Sequence, residues 1–208
     1  MKKLVIAMML LGVCSISMAN LVVNGGLNTD LADPAVGNIP SGSFTGWTMS
    51  NLSTTVNNPG VHWRSGDFSR TGVAGPAEGE MYLAVNTYKT LTSDAFAVTA
   101  GQDYTTQMFL AMQGGQYEMQ AYIRFNDAAT TTYNLFSGAV DSEWSGLWTA
   151  VNAVSTAPAG ATSAHLIVNA DLNAWSVWWA IDGVSVVPEP ATMVLLGLGS
   201  LVLRRKKA

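Results

Sequence analysis

The sequence predicts an all-β sandwich, and three observations carry that reading. Short runs rich in Thr, Val, Tyr and Phe alternate in polarity and are separated by Gly, Asn, Asp and Pro, the pattern of half-buried strands joined by turns. No long segment shows the apolar period of an amphipathic helix, and no repeat of fixed length is visible. Between two unusual ends the chain keeps 168 residues, Asn20 to Val187, enough for one domain with a sizeable core.

Residues 1–19 have the layout of a secretory signal peptide. Lys2 and Lys3 precede an apolar run from Leu4 to Val13, and Ser17-Met18-Ala19 offers small residues at the two positions a signal peptidase reads. Cleavage after Ala19 makes Asn20 the mature start. Leu11-Gly12-Val13-Cys14 also allows a lipoprotein reading, although Val13 is bulky for the residue before a processed cysteine.

Asn24 to Gly60, rich in Gly, Asn, Ser and Pro, reads as irregular. The expected strands are Met81–Thr87, Thr90–Val98, Tyr104–Met112, Tyr117–Asn126, Trp148–Ser155, Ser163–Ala170 and Val177–Val187. In Tyr117–Asn126 the alternation turns Met119, Ala121, Ile123 and Phe125 inward and Glu118, Gln120, Tyr122 and Arg124 outward. Gly114-Gly115 reads as a tight hairpin joining this strand to Tyr104–Met112. Paired so, the two strands would share a polar face carrying Gln107, Gln120, Tyr122 and Arg124, either a binding surface or simply a solvated one.

Two prolines in Val187-Pro188-Glu189-Pro190 interrupt the last strand pattern, since each removes a backbone donor and fixes φ. Thirteen uncharged residues follow, Ala191 to Leu203, and then Arg204-Arg205-Lys206-Lys207. As a helix the run spans about 20 Å against a hydrocarbon core of ~30 Å, a short transmembrane anchor. Its basic end stays cytoplasmic under the positive-inside bias, which leaves the domain outside.

This order of Pro-Glu-Pro, short apolar helix and basic cluster closely resembles the PEP-CTERM sorting signal of bacteria. The resemblance covers about the last 22 residues. It implies processing by an exosortase-like membrane enzyme and a link to extracellular polysaccharide and biofilm, with Pro188, Glu189, Pro190, Arg204, Arg205, Lys206 and Lys207 as the signal. The expected organisation is a signal peptide over 1–19, a sandwich over 20–187 and a sorting tail over 188–208.

A second resemblance spans nearly the whole mature domain. Asn24-Gly25-Gly26-Leu27, Gly46-Trp47, Leu91-Thr92-Ser93 and Val98 to Tyr104 occur in the order seen in galactose-binding-like jelly rolls. Ala157 to Thr162 and Ala180-Ile181-Asp182-Gly183-Val184-Ser185-Val186 continue that order. The chain looks like the jelly-roll β-sandwich of many carbohydrate-binding modules, a likeness that speaks to fold more than function. It implies a structural calcium at Asn28 and Asp182, with no other cofactor. The chain departs from the family pattern in having Leu27-Asn28 where Phe-Glu is common, and Gly183 where a second acidic or amide residue is common.

Charge and cysteine usage exclude other classes. Asn20–Val187 holds four basic residues against thirteen acidic ones, a net charge of −9, which disfavours nucleic acid and anionic lipid surfaces as partners. Cys14 is the only cysteine, so the mature domain has no disulfide, thiolate nucleophile or thiolate metal site.

No catalytic set is legible, and the chain is expected not to be an enzyme. Glu78 with Glu80 and Asp141 with Glu143 are the carboxylate pairs a glycosidase would need, but they stand among loop residues. His62 and His165 lack a metal-binding context. Aromatics make the better binding argument, because sugar rings stack their C–H faces on indole and phenol rings while amides hydrogen-bond the hydroxyls. Trp63, Trp144 and Trp175 are the platform candidates, beside Gln120, Tyr122 and Arg124. Trp178 and Trp179 point to opposite faces, one to the core and the other exposed or half-buried. The function expected is an exported, non-catalytic matrix protein that binds extracellular polysaccharide; the alternatives are a structural or adhesive protein without sugar binding, and a polysaccharide-active enzyme.

Overall fold

Strict alternation in Glu-Met-Gln-Ala-Tyr-Ile-Arg-Phe sets the architecture. Met119, Ala121, Ile123 and Phe125 are all buried, and their neighbours on the strand are not. A strand of this kind buries one face and leaves the other to solvent or a covering loop. The structure, a computed structural model, describes residues 19–27, 43–51, 61–64, 75–79, 82–86, 89–112, 118–140, 147–170 and 178–189. The described residues form twelve strands and no α-helix.

The strands are β1 (Ser43–Phe44), β2 (Trp47–Asn51), β3 (Val61–Arg64), β4 (Tyr82–Asn86), β5 (Lys89–Ser93) and β6 (Phe96–Ala97). There follow β7 (Asp103–Met112), β8 (Glu118–Phe125), β9 (Thr132–Ala139), β10 (Thr149–Thr156), β11 (Ser163–Ala170) and β12 (Trp178–Pro188). A seven-stranded sheet runs β1-β2-β5-β11-β8-β9, with β6 also on β11, and a five-stranded sheet runs β10-β7-β12-β4-β3. All pairings are antiparallel. The two apolar faces meet in one core, where Met108, Leu110, Met112, Leu83, Trp179 and Ile181 of the five-stranded sheet share a cluster with Trp47, Leu91, Ile123, Phe125 and Leu166 of the other. This is a jelly-roll β-sandwich.

Seven of the expected strands are present, one of them divided. Thr90–Val98 breaks at Asp94-Ala95 into β5 and β6, both on β11. At the break the ladder is replaced by side chains: Leu166 donates its amide to Ser93 Oγ (2.9 Å), and His165 Nδ1 lies 2.8 Å from the Ser93 carbonyl oxygen. β2 emerges from the segment read as irregular, with Trp47 wholly buried and Met49 half-buried on the inward side.

The predicted hairpin between β7 and β8 does not form. β7 pairs with β10 and β12, and β8 with β11 and β9, so the two strands belong to different sheets. The reason is the core itself: the inward residues of both strands are apolar, and placing the strands in opposed sheets sets those faces against each other. Gln107 is thereby separated from Gln120, Tyr122 and Arg124, on the outer face of the other sheet. Gly114-Gly115 lies outside the described residues.

The resemblance motifs brace the fold. The Gly25 carbonyl accepts from Val184 N (2.9 Å), and a Cβ at Gly25 would run into the Val184 carbonyl oxygen, so only glycine permits this approach. Asn24 Nδ2 donates to the Thr45 carbonyl (3.2 Å) and Trp47 Nε1 to the Asn24 carbonyl (3.4 Å).

Candidate functional site

Three neighbouring strands of the seven-stranded sheet build the first site. Register places Gln120 between Asn169 and Ser137, Tyr122 between Ile167 and Asn134, and Arg124 between His165 and Thr132. Gln120 and Arg124 are exposed and Tyr122 is half-buried, so three residues singled out from the sequence do lie along one outward face. A register shift in β9 completes the site: Ala121 pairs with Phe136 and Tyr122 with Asn134, leaving Leu135 as an extra residue. Leu135 and Phe136 both pack against the core, while Asn134 and Ser137 stay exposed on either side. The result is an open cleft of about 420 Å³ lined by Gln120, Tyr122, Thr132, Asn134 and Ser137. One phenol ring with amides and hydroxyls around it suits a flat, hydroxylated ligand. Arg124, two residues beyond Tyr122 on the same face, adds the only charge offered by these three β8 residues.

Sequence reasoning missed a second concavity, on the five-stranded sheet. Asn152, Gln107 and Ser185 form one cross-strand row, and Phe109 stands in the next between Ala150 and Asp182. Asn152, Gln107, Ser185, Phe109 and Ala150, with Asn20 and Glu78, line a groove of about 490 Å³. The signal that could have found it is the outward series Thr105, Gln107, Phe109 in Tyr104–Met112, read together with Asn152.

The wall of this groove rests on Asp182. Its side chain is wholly buried on the outer face, where Oδ2 accepts from the amides of Ala77 (2.7 Å) and Glu78 (2.9 Å) and Oδ1 from Gly183 N (2.7 Å). Burial raises the Asp182 carboxyl above its usual range, with help from the nearby Glu78 charge and against the three backbone donors. The carboxylate thus pins residues 77–78 over the sheet, with both oxygens engaged. Gly183 makes this possible: its φ is +56°, and a Cβ would stand 2.9 Å from Phe109 Cδ2 and 3.0 Å from Glu78 Oε2. That bulge, where the β12–β7 register shifts between Asp182 and Ser185, accounts for glycine at 183. Asn28, expected beside Asp182 at a calcium, lies outside the described residues, and among the described residues no three His, Cys, Asp or Glu side chains converge.

The tryptophans divide unevenly. Trp179 lies in the main core, and Trp178 faces the other way, as strand geometry requires, yet both are buried. Trp178 was expected exposed or half-buried if not core; instead Tyr82, Ala84, Ala111, Ala180 and Trp148 enclose it in a smaller outer cluster. Trp148 stacks edge-on against Tyr82 (5.4 Å between centroids, 82°) and donates Nε1 to the Gly75 carbonyl (3.0 Å), so the outer face here is covered. Trp63, a platform candidate, belongs to edge strand β3 and pairs with Leu83. Trp144 and Trp175 fall outside the described residues, as do Glu80, Asp141 and Glu143. Glu78 is exposed.

Pro188 ends β12 opposite Tyr104, and Glu189 follows it against β7. Pro190, Arg204, Arg205, Lys206 and Lys207 lie outside the described residues, as do the apolar run 191–203 and residues 1–18 of the expected signal peptide. Among the described residues no helix is long and apolar enough to cross a membrane.

Fold and faces define a class, the jelly-roll β-sandwich with polar outer clefts. The tail is more specific: residues 186–207 match the PEP-CTERM protein-sorting motif, which implies export and a C-terminal sorting or anchoring tail. No curated protein matches the sequence. Among solved structures, the chain is similar to an apo cyclase from Fischerella sp. (TM-score 0.57, 11% identity, covering 85% of this chain and 98% of that one). It is also similar to the enzymatically active domain of tailspike protein 4 from bacteriophage CBA120 (TM-score 0.52, 17% identity, 82% of this chain and 21% of that one). Carbohydrate-binding modules are among the neighbours, such as TmCBM61 in complex with β-1,4-galactotriose (TM-score 0.48, 15% identity, 82% of this chain and 99% of that one). The chain spans about a fifth of the tailspike's length. Identities this low speak of a shared fold and not of a shared ligand.

Proposed function

We propose that this is an exported, non-catalytic protein of the extracellular matrix or biofilm that binds glycans through the outer faces of its sandwich. Its C-terminal tail holds it at the envelope or is removed by an exosortase-like enzyme. One observation carries the reading: Tyr122 lies half-buried in an open cleft whose other walls are the amides and hydroxyls of Gln120, Asn134, Thr132 and Ser137. A phenol ring beside amides suits the two surfaces of a sugar, apolar on its face and polar at its rim. The groove around Phe109, Gln107 and Asn152 repeats the combination on the opposite sheet.

Asp182 favours a non-catalytic role. The two carboxylates of a glycosidase must reach the sugar or its attacking water to act as acid, base or nucleophile, and the one beside Glu78 is buried under three backbone donors. Binding of the detergent-purified chain to an array of bacterial envelope polysaccharides tests the proposal. Retention of at least one of them is expected. Retention of none, together with self-association of the chain, would favour the adhesive, sugar-independent reading.

A further inference from the structure

The sorting motif and the sandwich overlap. The motif begins at residue 186 and β12 runs through Pro188, so residues 186–188 are the last rungs of a sheet and the first residues of an address. They pair with β7 as Val186 to Thr106, Val187 to Thr105 and Pro188 to Tyr104. Glu189, the centre of Pro-Glu-Pro, is fastened to the same strand region at three points. Its amide donates to the Asp103 carbonyl (2.8 Å), its carbonyl accepts from Gln102 Nε2 (2.9 Å), and its carboxylate Oε1 accepts from Thr105 Oγ1 (3.0 Å).

The other edge of β12 is held as well. Its pairing with β4 ends at Ile181, and residues 20–25 take over. Leu21 donates its amide to the Val186 carbonyl (2.9 Å) and Val184 to the Gly25 carbonyl (2.9 Å). Asn20 Oδ1 accepts from Val186 N (2.9 Å) while its Nδ2 donates to the Val184 carbonyl (2.8 Å).

We propose that the folded domain masks its own sorting motif: Pro188-Glu189 stays docked on β7 until residues 187–189 peel away, and the processing enzyme acts on the peeled form. This rests on the reading above that the tail is processed. An enzyme taking an extended peptide into its cleft needs that peptide's backbone edges and side chains, and here the Glu189 amide, carbonyl and carboxylate are all engaged. When only a fraction of molecules is competent, apparent affinity falls by that fraction, so loosening the dock raises the rate of processing.

The test follows conversion of the full chain to its tail-less form by mass in the cells that make it, and exchange of the Glu189 amide on the purified chain. Thr105→Val removes a hydroxyl donor at nearly constant volume, Gln102→Ala removes the second side-chain donor, and Thr105→Ser keeps the hydroxyl. Asn20 is left alone because a change there also alters the signal-peptide junction. The double variant Gln102→Ala/Thr105→Val should raise both amide exchange and tail removal by about tenfold, from the loss of two hydrogen bonds, and Thr105→Ser should match the wild type. Faster Glu189 exchange with tail removal still at the wild-type rate overturns the mask. A Glu189 amide exchanging freely in the wild type removes the dock itself. Absence of processing in every chain defeats the sorting reading instead, and the mask falls with it.

Discussion

Asp182 shows how far a single residue was readable. Its place within the last strand was legible, and the resemblance implied a calcium ligand there; that it holds the backbone of residues 77–78 was not legible, because those partners lie 104 and 105 positions away in sequence. Asp182→Asn replaces one oxygen by an NH₂ group that must face a backbone N–H. It should cost about 1–3 kcal/mol, with faster amide exchange at Ala77 and Glu78 by NMR. The pH dependence has a definite sign. The folded state binds the Asp182 proton more tightly than the unfolded chain, whose carboxyl titrates near the ordinary aspartate value of 3.8. This group's contribution to stability therefore declines as pH rises from that value through the raised folded one. The lead of wild type over Asp182→Asn in thermal melts should therefore narrow, without vanishing, as pH rises through that window; a lead that widens with pH contradicts the assignment. Gly183→Ala meets both a positive φ and the Phe109 ring, and should destabilise by about 1–2 kcal/mol from the backbone alone.

At the scale of elements, strands with unbroken alternation were legible to within a residue or so. β8 is the clearest case, since its buried and exposed positions follow the sequence pattern throughout. β9 escaped notice because the extra residue at Leu135 breaks the period of two, and the same irregularity keeps Asn134 and Ser137 at the cleft. β2 was hidden among glycines, asparagines and serines, and β3 has only four residues. The β7–β8 hairpin failed for a different reason: alternation tells which residues face inward but not which sheet a strand joins. The divided strand makes a prediction. Ser93 is buried, accepts from Leu166 N and donates to the Asp94 carbonyl (2.9 Å), bridging the gap between β5 and β6. Ser93→Ala should orphan the Leu166 amide at about 1–3 kcal/mol, a fall of several degrees in melting temperature. An unchanged melt would show that the bridge contributes nothing.

Taken as a whole molecule, the chain has a core sealed between two sheets, without the disulfides its export would permit. Stability then rests on side chains such as Phe125 and Ile123, and truncating Phe125 to alanine should cost about 3–5 kcal/mol in a denaturant titration. Both ends of the described domain meet at β12, where residues 20–25 and the root of the sorting motif flank the same backbone. Each sheet carries an outer concavity, and the two are of similar size, one lined by Tyr122 with amides and hydroxyls and the other by Phe109 with Gln107, Asn152 and Glu78. Of the first, only the β8 side was legible, Gln120 and Tyr122 sharing one strand, while its β9 side went unread; the second draws on β7, β10 and β12 together, a juxtaposition that tertiary pairing alone creates. The central claim is that the Tyr122 cleft holds sugar. Titrating Tyr122→Ala with the polysaccharide retained by the wild type tests it most directly. The account predicts about a tenfold loss of affinity with an unchanged melting temperature, the magnitude of one stacking contact; wild-type affinity in that variant would contradict it.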